Sequence, residues 1–147
     1  MTALVTHHGP WSFTLPYPRP PRGLHSNDRP NRWTKAASTA QVRQDVFTLV
    51  RAAHVPALER IRVDVEWVVP DRRKRDTDGP EPLLKAIFDG IGSDRGVSAR
   101  IVEDDDPLHM DKGRLTIRHE PGCTARFIVT ISEMEAEPDG PDPHDQA

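Results

Sequence analysis

Residues 72–79, RRKRDTDG, place four consecutive cations directly before two carboxylates that are one residue apart. Mg²⁺ in proteins takes hard oxygen ligands, usually one or two carboxylates together with water and substrate phosphate. If this segment is extended, Asp76 and Asp78 point to the same side, because side chains alternate along such a backbone. The pair therefore predicts half of a site for Mg²⁺, with Mn²⁺ as an alternative ion.

A third carboxylate and a lysine would complete this chemistry. The acids Asp104, Asp105 and Asp106 follow a short apolar segment, and Lys85 lies between them and the first pair. A metal held by such acids lowers the pKa of bound water and offsets charge on a scissile phosphate. Lys85 could stabilise the negative charge that develops in the reaction. Together these residues predict hydrolysis of a phosphodiester, provided that they converge in the fold.

The consecutive cations before Asp76 predict contacts with the phosphates of a nucleic-acid backbone. The run Arg72, Arg73, Lys74 and Arg75 could hold neighbouring phosphates whatever the base sequence. Residues 1–60 carry a net charge of +5, from eight Lys or Arg and three acids. Within that basic portion Trp33 could either stack on a base or pack on the core, and we favour contact with DNA because cations surround it, namely Arg29, Arg32 and Lys35.

Each feature also has a structural explanation. The two acids of the loop could be turn residues, and Asp78 with Glu81 resembles a helix capping box. Lys85 and Asp89 could form a surface pair one helical turn apart. The cationic run could be a solvated loop. However, four or five acids brought together would repel one another, so their convergence would imply a bound cation.

Hydrophobic patterning indicates which elements position these residues. Residues 11–17 read as a strand, residues 18–36 as a Pro-rich basic loop, and Ser38 or Thr39 could cap a first helix. Residues 60–69 alternate between apolar and polar side chains, which is typical of a half-buried strand. The cationic and acidic segment therefore lies in a loop directly after a strand.

The second half of the chain predicts a helix and two strands. The helix begins near Pro80, because proline suits a first turn, and carries one apolar face, formed by Leu83, Leu84, Ile87, Phe88 and Ile91. Residues 108–119 and 124–132 read as strands joined around Pro121 and Gly122. The predicted fold class is a small α/β (α+β) domain with two main helices and a mixed or antiparallel sheet, in the order β-α-β-α-β-β.

Composition limits the remaining possibilities. The 147 residues suffice for one domain, assigned to 1–133. Residues 134–147 are acidic and poor in apolar residues, so we expect a disordered tail. No apolar stretch is long enough for a bilayer, and the N-terminus lacks the pattern of a secretion signal. With Cys123 as the only cysteine, no intrachain disulfide can form, and we expect a reducing, cytoplasmic location.

The segments VPDRRKRDTDGPEPLLKAIFDGI and IVEDDDP resemble the RusA family of Holliday junction resolvases from bacteria and their phages. LPYPRPP and NDRPNRW resemble its N-terminal Leu-Pro-x-Pro-Pro and Asn-containing basic loop, and GRLTI with FIVTISE resembles its closing hairpin. The similarity covers residues 12–133. The chain departs from the family pattern at two places. Gly79 stands where many members have Asn, and the interval before Lys85 is longer than in the shortest members and holds two prolines, which resembles a phage-type variant.

The resemblance implies an Mg²⁺-dependent homodimeric endonuclease that nicks opposing strands of four-way DNA junctions in recombination and repair. Its catalytic residues would be Asp76, Asp78, Lys85 and Asp105. Asp104 would join the metal-binding acids as the neighbour of Asp105, whereas a shift of one position would select Asp106 instead. DNA contacts would come from the loop cations and from the basic N-terminal portion, through Asn27, Arg29 and Arg32.

Two other functions fit the same residues. A non-catalytic module could bind branched DNA through the basic loops without cleaving it. A structure-selective nuclease with a broader substrate range could act on flaps or single strands. Comparison of junction, flap and linear substrates separates these alternatives from a junction resolvase.

Overall fold

The computed structural model describes residues 9–29 and 31–135. Residues 1–8, which bear on the absence of a secretion signal, and 136–147, most of the predicted tail, lie outside that range. No helix in the described ranges is long and apolar enough to cross a membrane. The elements follow the chain as β1 Trp11–Leu15, α1 Arg32–Ala52, β2 Ile61–Val69, α2 Glu81–Gly92, β3 Met110–Lys112, β4 Thr116–His119 and β5 Arg126–Glu133.

The five strands form one mixed sheet with β2 in its interior. β5 lies antiparallel to β2 on one side, and β1 lies antiparallel to β5 beyond it. β3 and β4 lie in succession along the other side of β2, both parallel to it. This arrangement of two helices and a mixed sheet confirms the predicted α+β class, and the order of elements agrees closely with the predicted one.

The segment predicted as one strand over 108–119 divides into β3 and β4 at Gly113. The Gly113 N–H donates to Val63 O at 2.9 Å, and the missing side chain leaves space for the Asp64 carboxylate. The chain around Pro121 and Gly122 joins β4 to β5 as predicted, but these two strands do not pair as the closing hairpin that the resemblance implied. β4 and β5 flank β2 on opposite sides, so β2 separates them.

The first helix begins earlier than predicted. Asn31, rather than Ser38 or Thr39, is its N-cap, because Asn31 Oδ1 accepts the Thr34 N–H at 2.9 Å. Ser38 Oγ instead donates to Arg22 O at 2.6 Å, and Thr39 Oγ1 donates back to Lys35 O at 2.8 Å. The basic loop therefore ends at residue 31, and Arg32 and Trp33 belong to the first turn of α1.

The two helices pack against each other, and α1 also contacts β1. Gly90 of α2 allows a close approach, since a Cβ there would stand 2.9 Å from the Cβ of Val46. The apolar face predicted for α2 is buried, and alternate residues of β2 are buried between sheet and helices, namely Ile61, Val63, Val65, Trp67 and Val69. This core fixes the end of β2 and the start of α2, between which the candidate site lies.

Candidate metal and nucleic-acid site

A cleft of about 700 Å³ lies between the loop after β2, the first half of α2 and the chain from β3 to β4. Its walls are Thr77, Asp78, Glu81, Leu84, Lys85, Phe88, Lys112, Gly113, Arg114 and Leu115. The structure thus brings together two of the predicted catalytic residues, Asp78 and Lys85. Asp78 does not form the capping box with Glu81 that the sequence allowed, because the N-cap of α2 is Pro80 and the helix has no side-chain cap.

The loop that carries Asp78 is braced by Asp71 at the exit of β2. Asp71 Oδ1 accepts the Arg73 N–H at 3.1 Å and the Arg75 Nη2 at 2.9 Å. These contacts, the Arg73 backbone first, outweigh the effect of burial and lower the pKa of Asp71. The guanidinium of Arg75 also lies 5.5 Å from the Trp67 ring centroid, so Arg75 is part of the loop's framework.

Asp76 and Asp78 line different cavities. Asp76 Oδ1 accepts the Asp78 N–H at 2.9 Å, which turns the backbone between them. Asp76 lines a groove of about 650 Å³ beside the cleft, whose walls are His25, Asn27, Trp67, Lys74, Arg75, Asp76 and Thr77. The expectation that both acids point the same way is therefore not met here, although Thr77 borders both cavities.

The basic N-terminal loop docks on the acidic loop at Gly79. The Ser26 N–H donates to Gly79 O at 2.8 Å, and the imidazole of His25 fills the space that a side chain at residue 79 would take. The Asn27 N–H donates to His25 Nδ1 at 3.1 Å, which fixes the ring. The His25 imidazole thus explains why residue 79 carries no side chain in this chain. The docking also places Asn27 in the groove that Asp76 lines.

A chain of alternating charges runs through the base of the site. Lys85 Nζ lies 3.8 Å from Asp89 Oδ2, and Lys112 Nζ lies 3.1 Å from Asp105 Oδ2. The carboxyl groups of Asp89 and Asp105 lie close enough for each to shift the pKa of the other, so the two pairs adjoin. Asp105 is thereby connected to the cleft, because Lys85 and Lys112 both line it with Asp78.

The three consecutive acids have different surroundings. Asp104 Oδ1 accepts the Asp105 N–H at 2.8 Å. Asp106 Oδ1 accepts the Leu108 and His109 N–H groups and lies 2.7 Å from His109 Nδ1. Burial would raise the pKa of Asp106, but its contacts with His109 lower it. Asp106 is engaged in the turn before β3, whereas Asp105 faces the charged chain.

Trp33 is exposed over 71% of its surface, so it does not pack on the core. The guanidinium of Arg32 lies 4.9 Å from a ring centroid of Trp33. A separate groove of about 530 Å³ is lined by Arg19, Arg22, Asn27, Asp28 and Arg29. The predicted N-terminal DNA contacts therefore lie on exposed, basic surface.

Sequence patterns did not identify four residues of this region as site components: His25, Asp89, Lys112 and Arg114. Asp89 is predictable only as a helix-surface partner of Lys85. Lys112 and Arg114 reach the cleft because β3 pairs in parallel with β2, a long-range relationship that local periodicity does not encode. His25 is placed by loop docking, for which the sequence carries no recognisable signal.

The donor chemistry of the region fits a divalent cation, although the ligands do not form a ready-made set. Within residues 9–29 and 31–135, no three His, Cys, Asp or Glu side chains form a metal-binding group. The acids nonetheless supply the hard oxygens that Mg²⁺ requires. Asp89 and Asp105 each have a lysine ammonium within 4 Å, so these two lysines balance the charge of the two acids.

Comparison with protein-family models and with curated proteins found no match to this chain. The functional conclusion therefore depends on the residues and their arrangement.

Proposed function

We propose that this chain is an Mg²⁺-dependent endonuclease of the RusA type, which resolves Holliday junctions in DNA recombination and repair. The observation that carries the proposal is the shared cleft of Asp78 and Lys85, connected through Lys112 to Asp105. The order of acids and lysine that the sequence shares with this family supports the same activity.

Asp78 and Asp105 would hold the metal, with Asp76 and Asp104 as the adjacent acids. The bound ion would supply acidified water and charge neutralisation at the phosphate. The Lys85 side chain is 77% exposed at the cleft wall, so its ammonium is accessible to phosphate oxygens. Its charge would stabilise the negative charge that develops during hydrolysis.

Phosphate binding around the cleft would come from exposed cations. Arg72 and Lys74 lie on the loop beside Asp76, and Asn27, Arg29 and Arg32 extend the basic surface towards α1. Such contacts bind the backbone without regard to base sequence. A homodimer would supply two sites to the two-fold symmetric junction, and the single Cys123 suits a reducing cytoplasm.

The test is nicking of a synthetic four-way junction in Mg²⁺ by the wild-type chain, Asp78→Asn and Glu81→Gln. Both variants remove one negative charge from the same cleft. We expect Asp78→Asn to lower the nicking rate by about 10²-fold or more, and Glu81→Gln by less than about threefold. Asp76→Asn extends the series to the neighbouring groove. Full activity in both aspartate variants would exclude the proposed metal site.

One observation favours the non-catalytic alternative, in which the chain binds branched DNA without cleaving it. Asp105 is already paired with Lys112, and no three His, Cys, Asp or Glu side chains of the described residues form a group that could hold a metal ion. That alternative predicts salt-dependent junction binding with no nicking in Mg²⁺ or Mn²⁺. Flap and linear duplex substrates in the same assay would reveal a broader structure-selective nuclease.

A further inference from the structure

Lys112 forms an ion pair with Asp105, one of the acids of the proposed metal site. Lys112 ends β3, where its Cα pairs with that of Val63 in the parallel register with β2. From there its Nζ lies 3.1 Å from Asp105 Oδ2 and 5.4 Å from the centroid of the Phe88 ring. The ammonium is thus held between an acid and the negative face of an aromatic ring.

We propose that Lys112 is the resident counter-cation of the Asp89 and Asp105 pair, and that a divalent ion binds Asp105 only by displacing this ammonium. The inference rests on the proposed function, from which it takes the metal. It adds a positioning residue whose charge sets the affinity of the site for the ion.

Charge balance within the group supports this role. Each of the two carboxyl groups has one ammonium neighbour, Lys85 for Asp89 and Lys112 for Asp105. The Lys112 contact is the shorter of the two, 3.1 Å against 3.8 Å, and its side chain is less exposed, 39% against 77%. Lys112 is therefore the tighter counter-cation, whereas Lys85 keeps an accessible ammonium.

The third cation of the cleft behaves differently. Arg114 is exposed, lines the same cavity and makes no ion pair or hydrogen bond with the described part of the chain. Removing the charge of Arg114 changes the electrostatic potential throughout the cleft but leaves the ion pair of Lys112 with Asp105 in place. Arg114 therefore provides a matched control for the specific effect of Lys112.

The expected size of the effect follows from the contact distance. A unit charge at about 3 Å from a carboxylate in a solvent-exposed site alters its interaction with a competing cation by about tenfold in affinity. Once displaced, the flexible Lys112 side chain would remain at the cleft wall, where its ammonium could bind a phosphate oxygen. Occupation of the metal site would then add a cation for DNA binding.

The experiment measures Mg²⁺ binding to the full-length, DNA-free chain by isothermal titration calorimetry. The proteins compared are wild type, Lys112→Met, which keeps an unbranched apolar side chain against Phe88, and Arg114→Met. We expect Lys112→Met to bind Mg²⁺ about tenfold more tightly than wild type, and Arg114→Met to change affinity by less than about threefold. Circular dichroism verifies folding, and Lys112→Gln replaces the methionine variant if that one does not fold.

The outcomes distinguish this inference from the proposed function. Equal or weaker Mg²⁺ binding by folded Lys112→Met, with measurable binding by wild type, overturns the role of Lys112 and leaves the metal site standing. An equal gain in Arg114→Met also overturns it, because the effect would then come from the general field. No Mg²⁺ binding by any of the proteins excludes the metal site itself, and the inference with it.

Discussion

The carboxyl group of Asp89, on α2, and that of Asp105, in the turn that precedes β3, lie close enough for each to shift the pKa of the other. Burial raises the pKa of Asp89, and the attraction of Lys85 offsets only part of this effect. Burial would also raise the pKa of Asp105, but the hydrogen bond and charge of Lys112 outweigh it and lower that pKa. Asp89 is therefore the member of the pair that holds a proton more readily.

Asp89→Asn should change how stability depends on pH. Because its pKa is raised in the folded state, the contribution of Asp89 is complete below the ordinary value of 3.8 and is lost as pH rises through the folded pKa. In the variant this loss of stability does not occur, because the asparagine side chain does not ionise. We therefore expect its free energy of unfolding to rise relative to wild type as pH increases from 3.8 through the folded pKa of Asp89, as measured by urea denaturation.

Asp94→Asn, at an exposed acid after α2, provides the control and should give a pH profile parallel to that of wild type. Asp105 contributes in the opposite sense, since its lowered pKa stabilises the fold above 3.8 and this stability is lost as pH falls through the folded pKa. Parallel profiles for wild type and Asp89→Asn would contradict the assigned direction of the Asp89 pKa.

The cations of the loop after β2 should separate into two functional groups. Arg72 and Lys74 are exposed and make no ion pair with the described residues, whereas the Arg75 side chain is only 17% exposed and pairs with Asp71. Neutralising Arg72 and Lys74 together to Gln should reduce the magnitude of the negative slope of log K against log salt by about 2 for junction binding. Fluorescence anisotropy over a salt series measures this slope.

Arg75→Gln should instead lower the free energy of unfolding by about 1 kcal/mol, because it removes a hydrogen-bonded cation from beside Trp67. Arg51→Gln, at the last turn of α1, is the control for loss of one positive charge away from the loop. A salt slope that falls equally in Arg75→Gln and in the Arg72 and Lys74 variant would remove the proposed division.

The strand and the helix around the candidate site are predictable from sequence for identifiable reasons. β2 alternates between buried and more exposed residues from Ile61 to Trp67 and ends in two further buried residues before Pro70, and α2 carries a continuous apolar face after Pro80. Asp78 and Lys85 are close along the chain on either side of this helix start, so their meeting in one cleft needs only local structure. The start of α1 was harder to predict, because Asn31, Ser38 and Thr39 are all residue types that cap helices.

The rest of the site depends on long-range pairing. Lys112 reaches Asp105 only because β3 lies parallel to β2, and a parallel partner cannot be inferred from an adjacent turn. The division of residues 108–119 at Gly113 has the same origin. Hydrophobic periodicity does not predict the position of His25, because His25 belongs to a loop that is fixed by its own hydrogen bonds and by contact with Gly79.

The contact between His25 and Gly79 should be a stabilising link between the basic and acidic loops. An alanine Cβ at residue 79 would collide with the His25 imidazole. We expect Gly79→Ala to lower the free energy of unfolding by about 1–3 kcal/mol, the usual cost of overpacking a filled site. Urea denaturation of the single variants Gly79→Ala and His25→Ala and of the double variant forms a double-mutant cycle.

The cycle isolates the collision from other effects of the two changes. In the double variant the shortened side chain at residue 25 makes room for the new methyl group, so much of the Gly79→Ala loss should disappear. Gly122→Ala provides a contrasting glycine, because its φ of 78° is strained for alanine while its Cβ would meet no atom within 4 Å. Its cost should therefore be the same with and without His25. Additive losses for Gly79→Ala and His25→Ala would show that the imidazole does not fill the space above Gly79, and would break the proposed connection between Asn27 and the acidic loop.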